Sequence, residues 1–186
     1  MKRLFIAIKI NPDREFLQLY EELRTQLKFE KITWVSPHNV HITLKFLGDT
    51  PEDKVEAVAA GMKKAAEGIS PFSFRLGGLG IFGSSYQPRV IWAGIKDWKE
   101  LAGIGEKIIR EMEVLGWERD RQNFVPHLTI GRIKFIKDKQ TFQEVIGEYK
   151  HVDIQEVNVT EVRLYESELT REGPVYTVID RVELVR

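Results

Sequence analysis

The sequence contains no cysteine, no excess of either charge and no long apolar run, and each absence excludes a class of protein. Without cysteine, disulfide bridges, thiolate nucleophiles and cysteine-ligated zinc or iron–sulfur sites are excluded. Lysine plus arginine and aspartate plus glutamate both total 28, so the net charge predicts no general attraction to nucleic acid, although a basic cleft can still exist locally. No segment is long and apolar enough for a membrane span or a signal peptide, so we expect a cytoplasmic protein with no membrane partner.

The composition is that of a soluble globular protein. Of the 186 residues, 42% are hydrophobic and 30% are charged, which is sufficient for one sizeable core. We therefore expect one domain, or two small lobes packed together.

Strand and helix patterns alternate along the chain in the same order in two halves. Apolar, β-branched runs at 3–10, 72–82 and 89–95 predict buried strands, and apolar residues at helical spacing follow the first and the third. Each half, roughly 1–85 and 86–186, predicts the order β-α-β-α-β.

A spacing shared by the halves supports a duplication. His41 follows Leu4 by 37 residues, and His127 follows Val90 by the same 37 residues. No proline-, glycine- or serine-rich linker separates the halves. We expect residues 1–186 to form a single domain whose two lobes come from duplicated halves, and this plan is compatible with an exchange of terminal strands.

Local signals predict helix starts and one bent strand. Asn11 before a proline, and Asp138, are residues that favour helix N-caps. The stretch "LGGLGIFG" at 76–83 lacks the GK[ST] ending of a phosphate-binding loop, so we interpret its glycines as a bend in a strand.

Two short stretches carry chemistry on an otherwise amphipathic strand. "VHITLKFLGD" at 40–49 and "PHLTIGRIK" at 126–134 both contain histidine and threonine two positions apart, which places the two side chains on one strand face. Composition predicts roughly 0.2 such pairs by chance, so two in matched positions indicate function.

The chemistry of this set suits displacement at phosphorus. Two imidazoles with ordinary pKa values near 6.5 can serve as base and acid, and two hydroxyls can donate to the oxygens of a tetrahedral anion. A zinc site fits less well, because each strand supplies one histidine with no carboxylate beside it. A serine hydrolase also fits less well, because no GxSxG motif is present.

The sequence resembles the 2H phosphoesterase superfamily, and within it the archaeal and bacterial RNA 2′,3′-cyclic phosphodiesterase, or 2′-5′ RNA ligase, family. "HITLKFLG" and "PHLTIGR" match the paired motifs, and "RLFIAI", "LGGLGIF" and "LYESELTREGPVYTVIDRVEL" occur in the same order over nearly the whole chain. The resemblance implies an α+β fold of two pseudo-symmetric lobes, each an antiparallel-rich sheet with outer helices, enclosing a central cleft.

The resemblance also implies roles for the motif residues. His127 would accept a proton from water, and His41 would donate a proton to the departing 3′ oxygen. Thr43 and Thr129 would bind the non-bridging oxygens. No metal or other cofactor is expected.

Two further residues are candidates for substrate binding. Arg132 matches an arginine of the family, but strict alternation places it opposite His127 unless the strand bulges near Gly131; the alternative is an outer-surface arginine. Lys45 shares the alternation of His41, so it could lie on the cleft floor or rim, or it could be a solvated strand residue.

Other aromatic and basic residues leave alternatives open. Phe5, Trp34 and Phe124 lie near strand ends, where they fit base stacking or core packing. The stretch "KFIKDK" at 134–139 fits RNA binding or an ordinary solvated loop.

The expected function is metal-independent hydrolysis of RNA 2′,3′-cyclic phosphate ends to 2′-phosphates, with reversible 2′-5′ RNA ligation as a further activity of the family. The expected partners are RNAs with such ends, for example tRNA fragments, or nucleotides, and the protein is expected to be a monomer. The alternatives are a nucleotide- or RNA-binding module on the same scaffold, or a 2H enzyme acting on nucleotide cyclic phosphates or 2′,5′-oligonucleotides.

Overall fold

The computed structural model describes residues 1–119 and 125–185, in which nine β-strands and four α-helices form two sheets with helices outside them. The strands are β1 (Lys2–Lys9), β2 (Lys31–Trp34), β3 (His41–Thr50), β4 (Phe72–Gly83), β5 (Pro88–Lys96), β6 (Leu128–Phe135), β7 (Asp153–Val159), β8 (Glu161–Thr170) and β9 (Gly173–Glu183). The helices are α1 (Arg14–Gln26), α2 (Val55–Ala66), α3 (Lys99–Val114) and α4 (Lys139–Glu148). No helix within the described residues is long and apolar enough to cross a membrane.

The two sheets are antiparallel and each draws strands from both halves of the chain. The first sheet has the strand order β3-β1-β8-β9, and the second has the order β2-β6-β5-β4-β7. The predicted α+β fold with two lobes is confirmed. The C-terminal hairpin completes the first sheet, whereas β2 and β4 from the first half belong to the second.

One apolar core lies between the sheets and the helices. The inward side chains of β1 (Leu4, Ile6 and Ile8) belong to one buried cluster, which includes the buried faces of all four helices and continues into the second sheet. The opposite face of the first sheet carries a small separate cluster around Phe5. We call this opposite face the cleft face of the first sheet. The cleft face of the second sheet is the face opposite the core residues Ile91 and Leu128, and it carries the paired residues Trp92 and Thr129.

The two predicted helix caps have different outcomes. Asp138 caps α4, because its carboxylate accepts from the backbone N–H of Thr141 at 3.0 Å, as predicted. The prediction for α1 is wrong: Asp13, not Asn11, accepts from Phe16 N–H at 2.8 Å. The carbonyl of Asn11 instead accepts from the buried Gln155 side chain, a contact between distant parts of the chain.

Extra residues interrupt the regular alternation of both motif strands. In β3, Leu44 and Leu47 have no partner on β1 and form bulges. In β6, Thr129 pairs with Trp92 and Gly131 pairs with Ile91, so Ile130 is the extra residue. Each bulge reverses which face the following side chains occupy. The predicted bend in β4 is present as a register shift after Leu76.

Candidate active site

Both motif histidines are held by the backbone immediately before their strands. Nδ1 of His41 lies 2.6 Å from the carbonyl oxygen of Asn39, and Nδ1 of His127 lies 2.8 Å from that of Val125. A carbonyl oxygen only accepts, so the proton of each neutral ring lies on Nδ1. Each ring therefore presents Nε2 as the atom that can take or give a proton.

The two motif threonines lie on the cleft faces of the two sheets. Thr43 pairs with Ala7 of β1, whose neighbour on the same face is Phe5. Thr129 pairs with Trp92 of β5. Strands β3 and β6 contact each other, and Arg132 of β6 is near enough to His41 of β3 for its charge to lower the pKa of that histidine.

The bulge in β6 places Arg132 on the same face as Thr129. Arg132 pairs with Val90 and Thr129 pairs with Trp92, and these two β5 residues share a face because they are two positions apart. The positive charge of Arg132 also lowers the pKa values of His41 and Tyr176 in the other sheet. The structure thus brings Arg132 to the cleft.

The expectation that Lys45 shares the face of His41 is wrong. The bulge at Leu44 reverses the alternation, and Lys45 pairs with the core residue Ile6. Lys45 is 3% exposed, and its Nζ donates to the backbone carbonyl of Glu118 at 2.8 Å. Lys45 lies on the face opposite the cleft and fastens the segment after α3 to β3.

His41 lies in an aromatic corner of the first sheet. The ring centroid of Phe5 is 4.9 Å from that of His41, and the ring of Tyr176 meets His41 edge-on at 5.3 Å. Phe5 stacks on Tyr165 at 5.2 Å. Phe5 of β1 and Tyr176 of β9 therefore contact this imidazole directly and restrict its orientation, and Tyr165 of β8 supports Phe5.

His127 has a similar aromatic neighbour in the second sheet. Phe82 of β4 meets His127 edge-on at 4.7 Å and lies 5.5 Å from Trp92. A Cβ on Gly80 would lie 2.3 Å from the Trp92 ring, so glycine at this position leaves room for the indole. Phe82 contacts His127 and Trp92, and Trp92 has room only because residue 80 of β4 is glycine.

Burial sets the protonation of His41. Removal of the ring from water lowers the pKa of His41 below its ordinary value of 6.5, and the positive charges of Lys9 and Arg132 lower it further, against the raising effect of the Asn39 carbonyl. Burial also raises the pKa of Tyr176 above 10.0. In the free protein, both groups are neutral at pH 7.

A cavity of about 180 Å³ opens beside His41. Its lining includes four residues that the sequence analysis did not select: Lys9, Arg163, Tyr165 and Tyr176. Lys9 is the ladder partner of His41, and its Nζ donates to the carbonyl oxygen of His38. These residues come from β1 and the distant C-terminal hairpin, so no local sequence pattern connects them with the motif.

The remaining candidates lie in different places. Phe5 is 3% exposed on the cleft face, and the half-buried Trp34 packs against the main apolar core. Phe124 lies outside the described residues. In the basic stretch 134–139, Nζ of the last lysine lies 3.8 Å from the centroid of the Tyr86 ring.

Among residues 1–119 and 125–185, no three histidine, aspartate or glutamate side chains form a group that could hold a metal ion.

Comparison with known proteins identifies the family. The family model "LigT like Phosphoesterase" matches residues 8–92 and 98–176. The RNA 2′,3′-cyclic phosphodiesterase of Methanocaldococcus jannaschii is 38% identical over 178 residues, covering 95% of this chain and 98% of the relative. The enzyme of the same name from Thermotoga maritima is 35% identical over 179 residues, covering 95% and 92%.

Solved structures share the fold. A structure from Thermus thermophilus has a TM-score of 0.77 at 30% identity and covers 98% of this chain and 97% of its own. The structure of Escherichia coli LigT complexed with 3′-AMP has a TM-score of 0.76 at 22% identity and covers 100% and 99%. The resemblance predicted from the paired motifs is confirmed, and the chain belongs to the LigT-like phosphoesterase family.

Proposed function

We propose that the protein hydrolyses RNA 2′,3′-cyclic phosphate ends to 2′-phosphates, using His41 and His127 as an acid–base pair. The observation that carries the proposal is the matched arrangement of the two histidines, each with Nδ1 on a backbone carbonyl two residues earlier. Relatives with the name RNA 2′,3′-cyclic phosphodiesterase, at 35–38% identity over most of the chain, support the substrate.

The proposed reaction is an in-line displacement by water. Nε2 of His127 takes a proton from water as the water oxygen forms a bond to phosphorus. The bond between phosphorus and the 3′ oxygen breaks, and Nε2–H of His41 gives its proton to that oxygen. The products are a 2′-phosphate and a free 3′-hydroxyl, and exchange of protons with solvent restores both rings.

Arg132, Thr43 and Thr129 bind the phosphate in this proposal. The two hydroxyls donate to the non-bridging oxygens, and the guanidinium offsets the charge that develops on them. Arg132 has this role because the β6 bulge brings it to the face of Thr129.

His41 must be protonated to act as the acid, but its lowered pKa leaves it neutral in the free protein at pH 7. In the free protein the ring is neutral, because burial and the charges of Lys9 and Arg132 disfavour the imidazolium. A bound phosphodiester places a negative charge in the same cleft and reverses this effect. Substrate binding therefore raises the pKa of His41 and supplies the acid.

If the 5′-hydroxyl of a second RNA takes the place of water, the same displacement forms a 2′-5′ linkage. This ligation uses the same two histidines with the same assignments, and its reverse exchanges their roles.

The direct test is incubation with an RNA that ends in a 2′,3′-cyclic phosphate, followed by identification of the product. A 2′-phosphate is expected, and the rate is expected to survive EDTA. A 3′-phosphate would contradict the assignment of the leaving oxygen. Loss of turnover with EDTA and recovery with added metal would contradict the metal-independent mechanism.

Single variants test the pair. His41→Ala and His127→Ala are each expected to reduce kcat/KM by at least about 100-fold, the range for loss of a general acid or base. His151→Ala, at an exposed position before β7, is the matched control and is expected to retain wild-type activity. Retention of activity in either motif variant would favour the binding-module alternative or another site.

A further inference from the structure

The cleft face of the first sheet continues away from the candidate active site as a row of paired residues. Thr43 of β3 pairs with Ala7 of β1, Ala7 pairs with Arg163 of β8, and Arg163 pairs with Arg181 of β9. The row crosses three strand-to-strand steps, or about 14 Å. Because Ala7 has only a methyl side chain, the surface of the sheet is shallow between Thr43 and the two arginines.

Two adjoining cavities lie along this row. The cavity of about 180 Å³ beside His41 is lined in part by Arg163 and Val178. A second cavity of about 380 Å³ shares those two residues and extends to Arg181. Together they form one path from His41 to the edge strand β9, and we call it the basic track, defined by Lys9, Arg163 and Arg181.

The three cations of the track attract an anion, and nearby carboxylates partly compensate them. Asp180 also lines the larger cavity, and its carboxylate pairs with Lys63 of α2 at 2.7 Å. The Arg163 side chain is 27% exposed and pairs with Glu161, while Arg181 is 63% exposed and lies 3.8 Å from the same carboxylate. Glu183, the ladder partner of Glu161, borders the track on that side. Glu161 therefore holds both guanidiniums in a position where a phosphate could replace it.

An aromatic row runs beside the track. Phe5 pairs with Tyr165, and the two rings are stacked at 5.2 Å. Both rings are buried, at 3% and 6% exposure, so the ring that a base can reach is the half-buried Tyr176, which meets Phe5 edge-on at 5.1 Å and lines the cavity beside His41. A positively charged groove beside an accessible aromatic ring is a usual surface for single-stranded nucleic acid, because phosphates follow the charges and a base stacks on the ring.

We propose that the basic track binds the nucleotides that precede the cyclic-phosphate end, so that the protein selects RNA oligonucleotides over free cyclic mononucleotides. This inference rests on the proposed function. A 2′,3′-cyclic phosphate is at the 3′ end of an RNA, so the rest of the strand leaves the cleft on the 5′ side. The track is longer than the roughly 3.4 Å per nucleotide of a stacked strand and reaches beyond the terminal nucleotide.

The test compares kcat/KM for adenosine 2′,3′-cyclic phosphate with kcat/KM for a trinucleotide that ends in the same group. The wild type is expected to prefer the trinucleotide. Arg181→Gln is expected to reduce this preference about fivefold, the upper range for an exposed ion pair, and to flatten the salt dependence for the trinucleotide. Arg110→Gln, which removes an exposed arginine from α3, is the matched control and is expected to keep the preference.

A second variant is expected to change the preference for the trinucleotide in the opposite direction. Glu161→Gln frees both guanidiniums and is expected to increase the preference for the trinucleotide, whereas a residue needed only for folding would not produce such a gain. An unchanged preference in Arg181→Gln, or a reduced one in Glu161→Gln with an unchanged melting temperature, would overturn the basic track while leaving the proposed function intact. Failure of the wild type to hydrolyse either substrate would overturn the proposed function and, with it, this inference.

Discussion

The protonation of His41 depends on residues from three other strands. Phe5 and Tyr176 bury the ring, and Lys9 and Arg132 surround it with positive charge. All four effects favour the neutral imidazole by lowering the pKa of His41. The negative charge of a bound phosphate acts in the opposite direction and favours the protonated ring.

His41 is expected to titrate below 6.5 in the free protein, and Arg132→Gln is expected to raise its pKa because one lowering charge is removed. Inorganic phosphate is expected to raise it as well. Proton NMR titration of the imidazole signals, assigned with His41→Ala, measures the change. A pKa above 6.5 without ligand would contradict the effect of burial.

This pKa shift also affects stability. The unfolded chain binds the proton at His41 more tightly than the folded chain does, because the folded pKa is lowered from 6.5. The contribution of His41 is therefore complete above pH 6.5 and is lost as the pH falls toward the folded pKa. Urea unfolding between pH 7 and pH 5 is expected to show a smaller loss of stability in His41→Phe than in the wild type.

At the level of single elements, the bulges of β3 and β6 assign opposite roles to two cations. Lys45 and Arg132 each lie shortly after a motif histidine, yet one faces away from the cleft and the other faces into it. A variant of each separates stability from chemistry.

Lys45→Gln is expected to lower the free energy of unfolding by about 1–3 kcal/mol, because its buried Nζ donates to the Glu118 carbonyl. Arg132→Gln is expected to leave the melting temperature within a few degrees of wild type and to lower kcat/KM about 100-fold. Thermal unfolding and steady-state kinetics on both variants measure these effects. The reverse pattern would contradict the assignment of faces.

The glycine pattern of β4 supports the neighbourhood of His127. Gly80→Ala is expected to cost about 1–3 kcal/mol and to reduce activity, because its Cβ would lie 2.3 Å from the Trp92 ring, which contacts the Phe82 beside His127. Gly103→Ala in α3 is the control: its Cβ would meet nothing within 4 Å, and it is expected to stabilise the protein by about 1 kcal/mol. Equal stability of the two variants would contradict the close approach of Gly80 to the indole.

For the whole molecule, the sharing of strands between sheets makes the two halves interdependent. The first sheet needs β8 and β9 from the second half, and the second sheet needs β2 and β4 from the first half. A duplicated origin of the halves stays a prediction, but either half alone would leave sheet edges and core faces unpaired.

Fragments 1–85 and 86–186 are therefore expected to be unfolded or aggregated when produced separately. Mixing or co-expression is expected to restore cooperative unfolding, measured by near-UV circular dichroism during heating. Cooperative unfolding of either fragment alone would show that one half of the chain folds without strands from the other.

The amino-acid sequence was sufficient for the predictions that depend on local pattern. The paired motifs, the bent β4, the cap at Asp138 and the family resemblance all follow from residue type and short-range spacing. These features are visible because a strand or helix places near neighbours in regular positions. The predicted order β-α-β-α-β lacks β2 in the first half and two of the three final strands in the second half.

The faces of Lys45 and Arg132 and the surroundings of His41 depend on contacts between distant segments. A bulge is defined by the register with a partner strand, so alternation along one strand predicted the wrong face for Lys45 and left that of Arg132 open. Lys9 and Tyr176 reach His41 through pairing of β1 with β3 and through the C-terminal hairpin. Local spacing does not predict such pairing, because the free energy that selects a register comes from packing across the whole sheet.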